Sequence, residues 1–126
     1  MISDGIAQYR SVVDLHVELM KLARKHLPIH DASPSRLRYL LLLVLAQSEA
    51  AQSRITVKTL FAAVPYSDAA VRKHFDKLLS ENWVFLENDP TDRRIRYIRP
   101  TEKLTACLTN WLFSCDNLFK TEMLNN

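Results

Sequence analysis

The stretch SDAAVRKHFDKLLSENWVFLENDPTDRRIRYIR, residues 67–99, spells out a helix, a stop and a hairpin. Ser67 is a capping residue type, and behind it Val71, Phe75, Leu78 and Leu79 recur at helical spacing while Arg72, Lys73, Asp76 and Lys77 fall on the opposite side. The spacing predicts a helix over 67–81 with one apolar and one cationic face. Asn82 stands where that helix must stop, and asparagine tolerates the left-handed C-cap that glycine ordinarily fills. Residues 83–88 and 94–99 then read as two strands around Asp89-Pro90-Thr91-Asp92-Arg93. In the second strand Ile95 and Tyr97 alternate with Arg94 and Arg96, which predicts one buried and one basic face. Just upstream, Ile55-Thr56-Val57 opens a compact unit in which Leu60, Phe61 and Val64 mark a short helix, stopped by Pro65-Tyr66. Two helices joined by a tight turn form a helix-turn-helix, and a hairpin directly after it is a wing.

Further out, both flanks are helical. Ile6, Tyr9, Val13, Val17, Met20, Ala23 and Leu27, with a second stripe at Val12, Leu15, Leu19 and Leu22, predict one amphipathic helix over 4–27 that Pro28 ends. Ser33-Pro34 reads as an N-cap with proline at the first helical position. The helix behind it, 34–50, is apolar nearly all round from Leu37 to Ala46 and belongs at the centre of the fold. A last helix from Thr101 to about Met123 carries Leu104, Cys107, Leu108, Trp111, Leu112, Cys115, Leu118 and Phe119 on a continuous band. The 126 residues are enough for one domain. They contain a single glycine, Gly5, so glycine-rich phosphate loops and the GxSxG nucleophile elbow are excluded. The expected fold is mainly α with a small β-hairpin wing. It is a winged helix-turn-helix core over 34–100, with residues 1–30 and 101–126 as helical dimerisation segments.

Charge concentrates where the motif lies. Residues 54–103 hold ten cations against seven anions, whereas residues 1–53 are net +1 and residues 104–126 net −1. A major groove admits one α-helix, and the small residues Ser67, Ala69 and Ala70 would let the start of helix 67–81 approach base edges. Arg72, Lys73 and Lys77 would then reach bases or phosphates, and Ser67 with the free backbone amides could hold a phosphate at the positive helix end. The same cations are equally compatible with a solvated face, with Asp76 pairing to Arg72 at i,i+4. The wing favours nucleic acid: Arg93 and Arg94 at its tip, followed by Arg96 and Arg99, suit an adjacent minor groove.

Asp89-Pro90-Thr91-Asp92-Arg93-Arg94, followed after the strand by Thr101-Glu102-Lys103, resembles the DPxDRR wing and the LTEKG segment of the MarR family of transcription regulators. The stretch from Ser67 through Asp76-Lys77-Leu78 to Trp83-Val84 is similar to that family's recognition helix and its GLV exit. The resemblance covers about residues 34–113. It implies that Arg72 and Lys73 lie on a DNA-reading helix, that Asp92, Arg94 and Asp76 organise the wing region, and that Arg93 or Arg94 meets the minor groove. It also implies a homodimer built from the first and last helices, and a transcriptional repressor. Three positions depart from the pattern. Asn82 replaces a glycine, Pro100 and Leu104 replace the leucine and glycine of LTEKG, and Leu86 replaces an arginine common after GLV. Leu104 cannot imitate glycine's freedom, so the start of the last helix is where this chain is expected to differ.

The surplus apolar surface of residues 6–27 and 104–119, including Trp111, Phe113 and Phe119, fits such a dimer. The partners expected are therefore double-stranded DNA and a second copy of the chain. A small-molecule effector is a further candidate, seated between the dimer helices and the winged core. The alternative is a winged-helix module that docks on another protein without binding DNA, suggested by Leu86, the modest net charge and the acidic residues Asp68, Asp76, Glu87 and Asp89. Residues 33–38 are candidates for backbone contact. Pro28 breaks the helix between His26 and His30, against a metal site. His16 reads as a packed or interface residue, and His74 as either a phosphate contact or a half-buried residue. Cys107 and Cys115, eight apart on one helix and hence about 12 Å apart, read as buried, reduced thiols. No set of residues suggests catalysis, a cofactor or a metal. With no basic leader before an apolar core and no apolar run longer than Tyr39–Ala46, a cytoplasmic, non-membrane protein is expected.

Overall fold

Helix α3, Ser35–Ala50, is the beam on which everything else rests, and its sequence says why. Leu37, Leu41, Leu42 and Leu45 are shielded from solvent, and Leu40 and Val44 pack half-buried against the same cluster. A computed structural model describes residues 4–30, 32 and 34–124. One side of α3 receives the helix-turn-helix, α4 (Val57–Ala62) and α5 (Asp68–Ser80), through Leu60, Phe61, Val71, Phe75 and Leu78. Its other side receives α2 (Arg10–His26) and α6 (Glu102–Leu124), which run against each other, through Ala23, Leu104, Leu108, Trp111 and Cys115. Trp111, expected on the dimer surface, is instead buried in this core with its ring edge-on to Tyr39 at 6.1 Å.

The first helix is not continuous. A short α1, Asp4–Ala7, turns at Gln8-Tyr9 before α2 begins, with the Tyr9 amide donating to the Ile6 carbonyl at 2.9 Å. Gly5 lies in that first turn and no side chain caps α2 at Tyr9, so little holds the junction helical. Pro28 ends α2 as expected, because Leu27 before it is forced into an extended conformation (φ −95°, ψ 148°). Pro34 is corrected from first helical position to cap: its ψ of 139° is extended, and α3 starts one residue later. The Ser33 cap falls outside the described residues.

Two of the helix stops need a left-handed residue, and neither is glycine. At the end of α5, Asn82 has φ 63°, with its amide on the Leu79 carbonyl (3.1 Å) and that of Trp83 on the Leu78 carbonyl (2.9 Å). This pair of bonds is the Schellman arrangement that the sequence anticipates at Asn82. At the end of α3, Gln52 (φ 55°) makes the same closure, with its amide on Glu49 and that of Ser53 on Ser48, both at 3.0 Å. Left-handed geometry costs a residue with a Cβ about 1 kcal/mol. Gln52→Gly should therefore stabilise the protein by about that much and raise Tm by several degrees, as calorimetry would measure.

The sheet has three strands in the order β1 (Ile55–Thr56), β3 (Arg96–Pro100), β2 (Val84–Asn88), all antiparallel. Strand β1 was invisible as a strand because two residues carry no alternation. Register also corrects the expected faces of the second wing strand. Leu86 and Ile55 both oppose Ile98, which is buried with Pro100, so Tyr97 and Arg99 point to the other side and Ile95 lies before the strand. Helix α6 starts from Thr101, whose hydroxyl accepts from the Leu104 amide (3.3 Å) and lies 2.9 and 3.0 Å from the carbonyls of Asn82 and Trp83. At this junction Leu104 is helical and fully buried, so it fills the core where glycine would leave a hole.

Candidate nucleic-acid interface

Helix α5 is presented by its cap and its buried side. The Ser67 hydroxyl accepts from the Ala70 amide at 3.2 Å, which fixes the first turn, and Val71, His74, Phe75 and Leu78 anchor the inward face. His74 is thus a core residue and is corrected as a phosphate contact. Ala69, Arg72, Lys73, Asp76 and Lys77 remain exposed, and Ala70 is half-buried. The guanidinium of Arg72 lies over the Phe61 ring, 5.1 Å from its centre, and Phe61 itself is edge-on to Phe75. Stacking of this kind restrains a planar cation while leaving its edge free to donate.

The wing is folded by two carboxylates. Asp89 accepts from the Thr91 amide (2.9 Å), the Thr91 hydroxyl (2.8 Å), the Asp92 amide (2.9 Å) and the Tyr97 hydroxyl (2.7 Å). Those bonds, the Tyr97 hydroxyl foremost, hold the Asp89 carboxyl well below the usual carboxylate range and push the Tyr97 hydroxyl up. Asp92 accepts from the backbone amide of Arg94 (3.0 Å) and grips its guanidinium at Nε (3.1 Å) and Nη2 (3.2 Å), so its carboxyl is lowered too. The Arg94 side chain nevertheless stays 91% exposed. The organising part implied for Asp92 thus has a visible geometry, and Asp89 carries at least as much. Its signal was present in the Asp-Pro-Thr-Asp turn composition, where an aspartate accepts from amides two and three residues on. Asp76 takes no part in the wing: among the described residues it makes no hydrogen bond or ion pair with it or with Arg72.

Between the wing, the start of α5 and α4 lies an open cleft of about 630 Å³. Arg72, Arg94 and Arg96 line it with Lys58 and Asp68. Lys58 was not singled out in the sequence, although it sits in the first turn of the first helix of the motif. Lys73, Lys77 and Arg93 are exposed but outside the cleft lining, Arg93 at the wing tip.

Two arginines expected nearby are used elsewhere. Arg99 is held by Glu49 (3.0 and 3.1 Å) and Glu87 (3.5 Å) on the face of the sheet turned from the core, where Arg54 also pairs with Glu87 (2.9 Å) and stacks on Tyr97. Arg38, a candidate for backbone contact, is 3% exposed, donates to the Pro28 carbonyl at 3.2 Å and lies 3.8 Å from Glu81. Leu86, in place of the resembled family's arginine, packs half-buried against the core. Among the described residues no group of His, Cys, Asp and Glu could hold a metal, and no helix is long and apolar enough to cross a membrane. His26 meets the Ser114 hydroxyl at 3.3 Å, Cys107 is half-buried, and burial pushes the Cys115 thiol up.

No family model and no curated protein matches the sequence. Solved structures do match the fold. A mutant of MepR from S. aureus bound to an oligodeoxyribonucleotide superposes with a TM-score of 0.70 at 12% identity, covering 100% of this chain and 86% of that one. The transcriptional regulator Tm0710 from Thermotoga maritima gives 0.65 at 15% identity, over 96% and 78% of the two chains. A mutant of MarR from E. coli gives 0.57 at 19% identity, over 100% and 86%. With its helix-turn-helix, three-stranded wing and flanking helix pair, the chain has the winged-helix fold of the MarR-type transcriptional regulators.

Proposed function

We propose that the protein is a transcriptional regulator that binds duplex DNA as a homodimer and acts as a repressor by occupying its site. The observation that carries this reading is the gathering of Arg72 from the second helix of the motif, Arg94 and Arg96 from the wing and Lys58 from α4 around one open cleft. Helix α5 enters the major groove, and the wing tip with Arg93 and Arg94 follows the backbone into the neighbouring minor groove. The MepR relative in fold was solved with an oligodeoxyribonucleotide, which supports the same assignment.

Selection of bound duplexes from a random pool tests binding, half-site symmetry and specificity together. Arg94→Ala should weaken binding to every duplex and lower the slope of log affinity against log salt by about one, because one phosphate contact is lost. Anisotropy titrations over a salt series would show it. Affinity of the unchanged protein that does not respond to salt, or binding to a protein partner with none to duplex, would instead favour a docking module. Against that alternative, the apolar Leu86 has a packing reason of its own opposite Ile98.

Dimerisation rests on apolar side chains left open on the flanking segments: Ile6 on α1, Tyr9 in the turn after it, Val13, Val17 and Met20 on α2, and Phe113 on α6. Phe113 is 67% exposed, so Phe113→Glu should leave the protomer folded by circular dichroism yet turn a dimer into a monomer in light scattering. A monomeric parent protein at micromolar concentration would refute the assembly. A cleft of about 330 Å³ lined by Met20, Ala23, Arg24, Ile29, Arg36 and Tyr39 lies between α2 and α3 and is the place for a small-molecule effector.

A further inference from the structure

The cleft between α5 and the wing holds one carboxylate among its cations. Asp68, the first residue of α5, lines it with Arg72, Arg94, Arg96 and Lys58. Asp68 and Arg72 are four residues apart and share a helix face. Even so, no ion pair joins them among the described residues, and the Arg72 guanidinium lies over the Phe61 ring instead, 5.1 Å from its centre. Asp68 is therefore not spent on Arg72.

A carboxylate on a surface that meets phosphate oxygens is repelled, since it offers acceptors only. In a major groove the donors are the exocyclic amino groups of cytosine and adenine. Adenine N6 lies between two acceptors, its own N7 and thymine O4, which oppose a carboxylate, whereas cytosine N4 has guanine O6 on one side only and the ring C5–H on the other. Arg72, restrained on its aromatic shelf, offers the two-pronged edge that matches guanine N7 and O6. The two side chains are about 6 Å apart along the helix, close to two base-pair rises of about 3.4 Å.

We propose that Asp68 reads sequence by accepting a hydrogen bond from a cytosine amino group, and that with Arg72 on a guanine within about two base pairs it sets the specificity of each half-site. This rests on the reading that the protein binds duplex DNA. A carboxylate in the first turn also stabilises a helix through its dipole, a role that involves no base, so the test must separate the two. Duplex selection is carried out with the unchanged protein, Asp68→Ala and Asp68→Asn, each confirmed as folded by circular dichroism. The expected result is a cytosine in every half-site selected by the unchanged protein. Asp68→Ala should lose that preference by about tenfold or more while binding random duplex at least as well, and Asp68→Asn should shift the position toward adenine, whose N6 and N7 an amide matches. If Asp68→Ala keeps the parent preference and merely binds all duplexes more tightly, the proposal is overturned while DNA binding stands. A parent protein that selects no duplex at all overturns both.

Discussion

Asp89→Ala should weaken duplex binding by about tenfold or more, even though it removes a negative charge from the side of the molecule that would face phosphates. Charge alone predicts the opposite sign. The reason lies in the four hydrogen bonds that converge on this carboxylate from Thr91, Asp92 and Tyr97. Without them the turn between β2 and β3 loses its internal acceptor, the Asp92 amide no longer faces a partner, and the Asp92–Arg94 clasp that aims the wing arginine is set adrift. Tyr97→Phe removes one of the four bonds and should cost correspondingly less. Anisotropy at a single salt concentration measures both, and an Asp89→Ala protein that binds as well as its parent would sink the idea that wing order, rather than wing charge, limits affinity. The pH dependence follows with a definite sign. A carboxyl lowered in the fold contributes fully above the unfolded value near 4 and is lost only as pH falls through its lower folded value, so the wing should stay ordered at pH 5.

Leu104→Gly should be the most destabilising of these substitutions, by about 4 kcal/mol. Emptying a fully buried leucine site costs about 3 kcal/mol or more in lost burial and cavity, and glycine in a helix adds about 1 kcal/mol. Set against a total stability of about 5–15 kcal/mol for a domain, that loss leaves little. Urea denaturation followed by circular dichroism would measure it, and a loss under about 1 kcal/mol would mean that the α6 start is not held by this side chain. A residue that departs from the resembled family's glycine is here a central packing element of the buried core at the start of α6.

How far the sequence was readable depended on the length over which a pattern repeats. Helices α2, α3, α5 and α6 each carry several turns of apolar spacing, and they lie close to where that spacing put them. The Asn82 stop was legible because the chemistry of a left-handed cap narrows the choice, whereas Gln52 adopts the same geometry with no such signature. Strand register was not legible. Ile95, Tyr97 and Ile98 allow two alternations, and only the pairing of Ile98 with both neighbours decides between them. Arg38 and Trp111 were misplaced for a related reason: burial is a property of the surrounding elements, and one guanidinium under the Pro28 carbonyl leaves no local trace. In the site, the cations could be named from the sequence, but which of them share a cleft, and that Lys58 joins them, could not.

The ion cluster on the back of the sheet bears on how the molecule meets a partner in the first place. Arg54 and Arg99 are matched by Glu49 and Glu87 at contact distance, so that face is locally neutral. The cleft, by contrast, is lined by Lys58, Arg72 and Arg96, none of them in an ion pair among the described residues, with Lys73 and Arg93 exposed on the same two elements, α5 and the wing. A particle charged in this lopsided way experiences a torque in the field of a long polyanion and turns its cleft toward it before contact. The neutral back thereby raises the fraction of encounters that are productive, an effect on association rate that dissolved salt would erase well before it reached the close-range contacts.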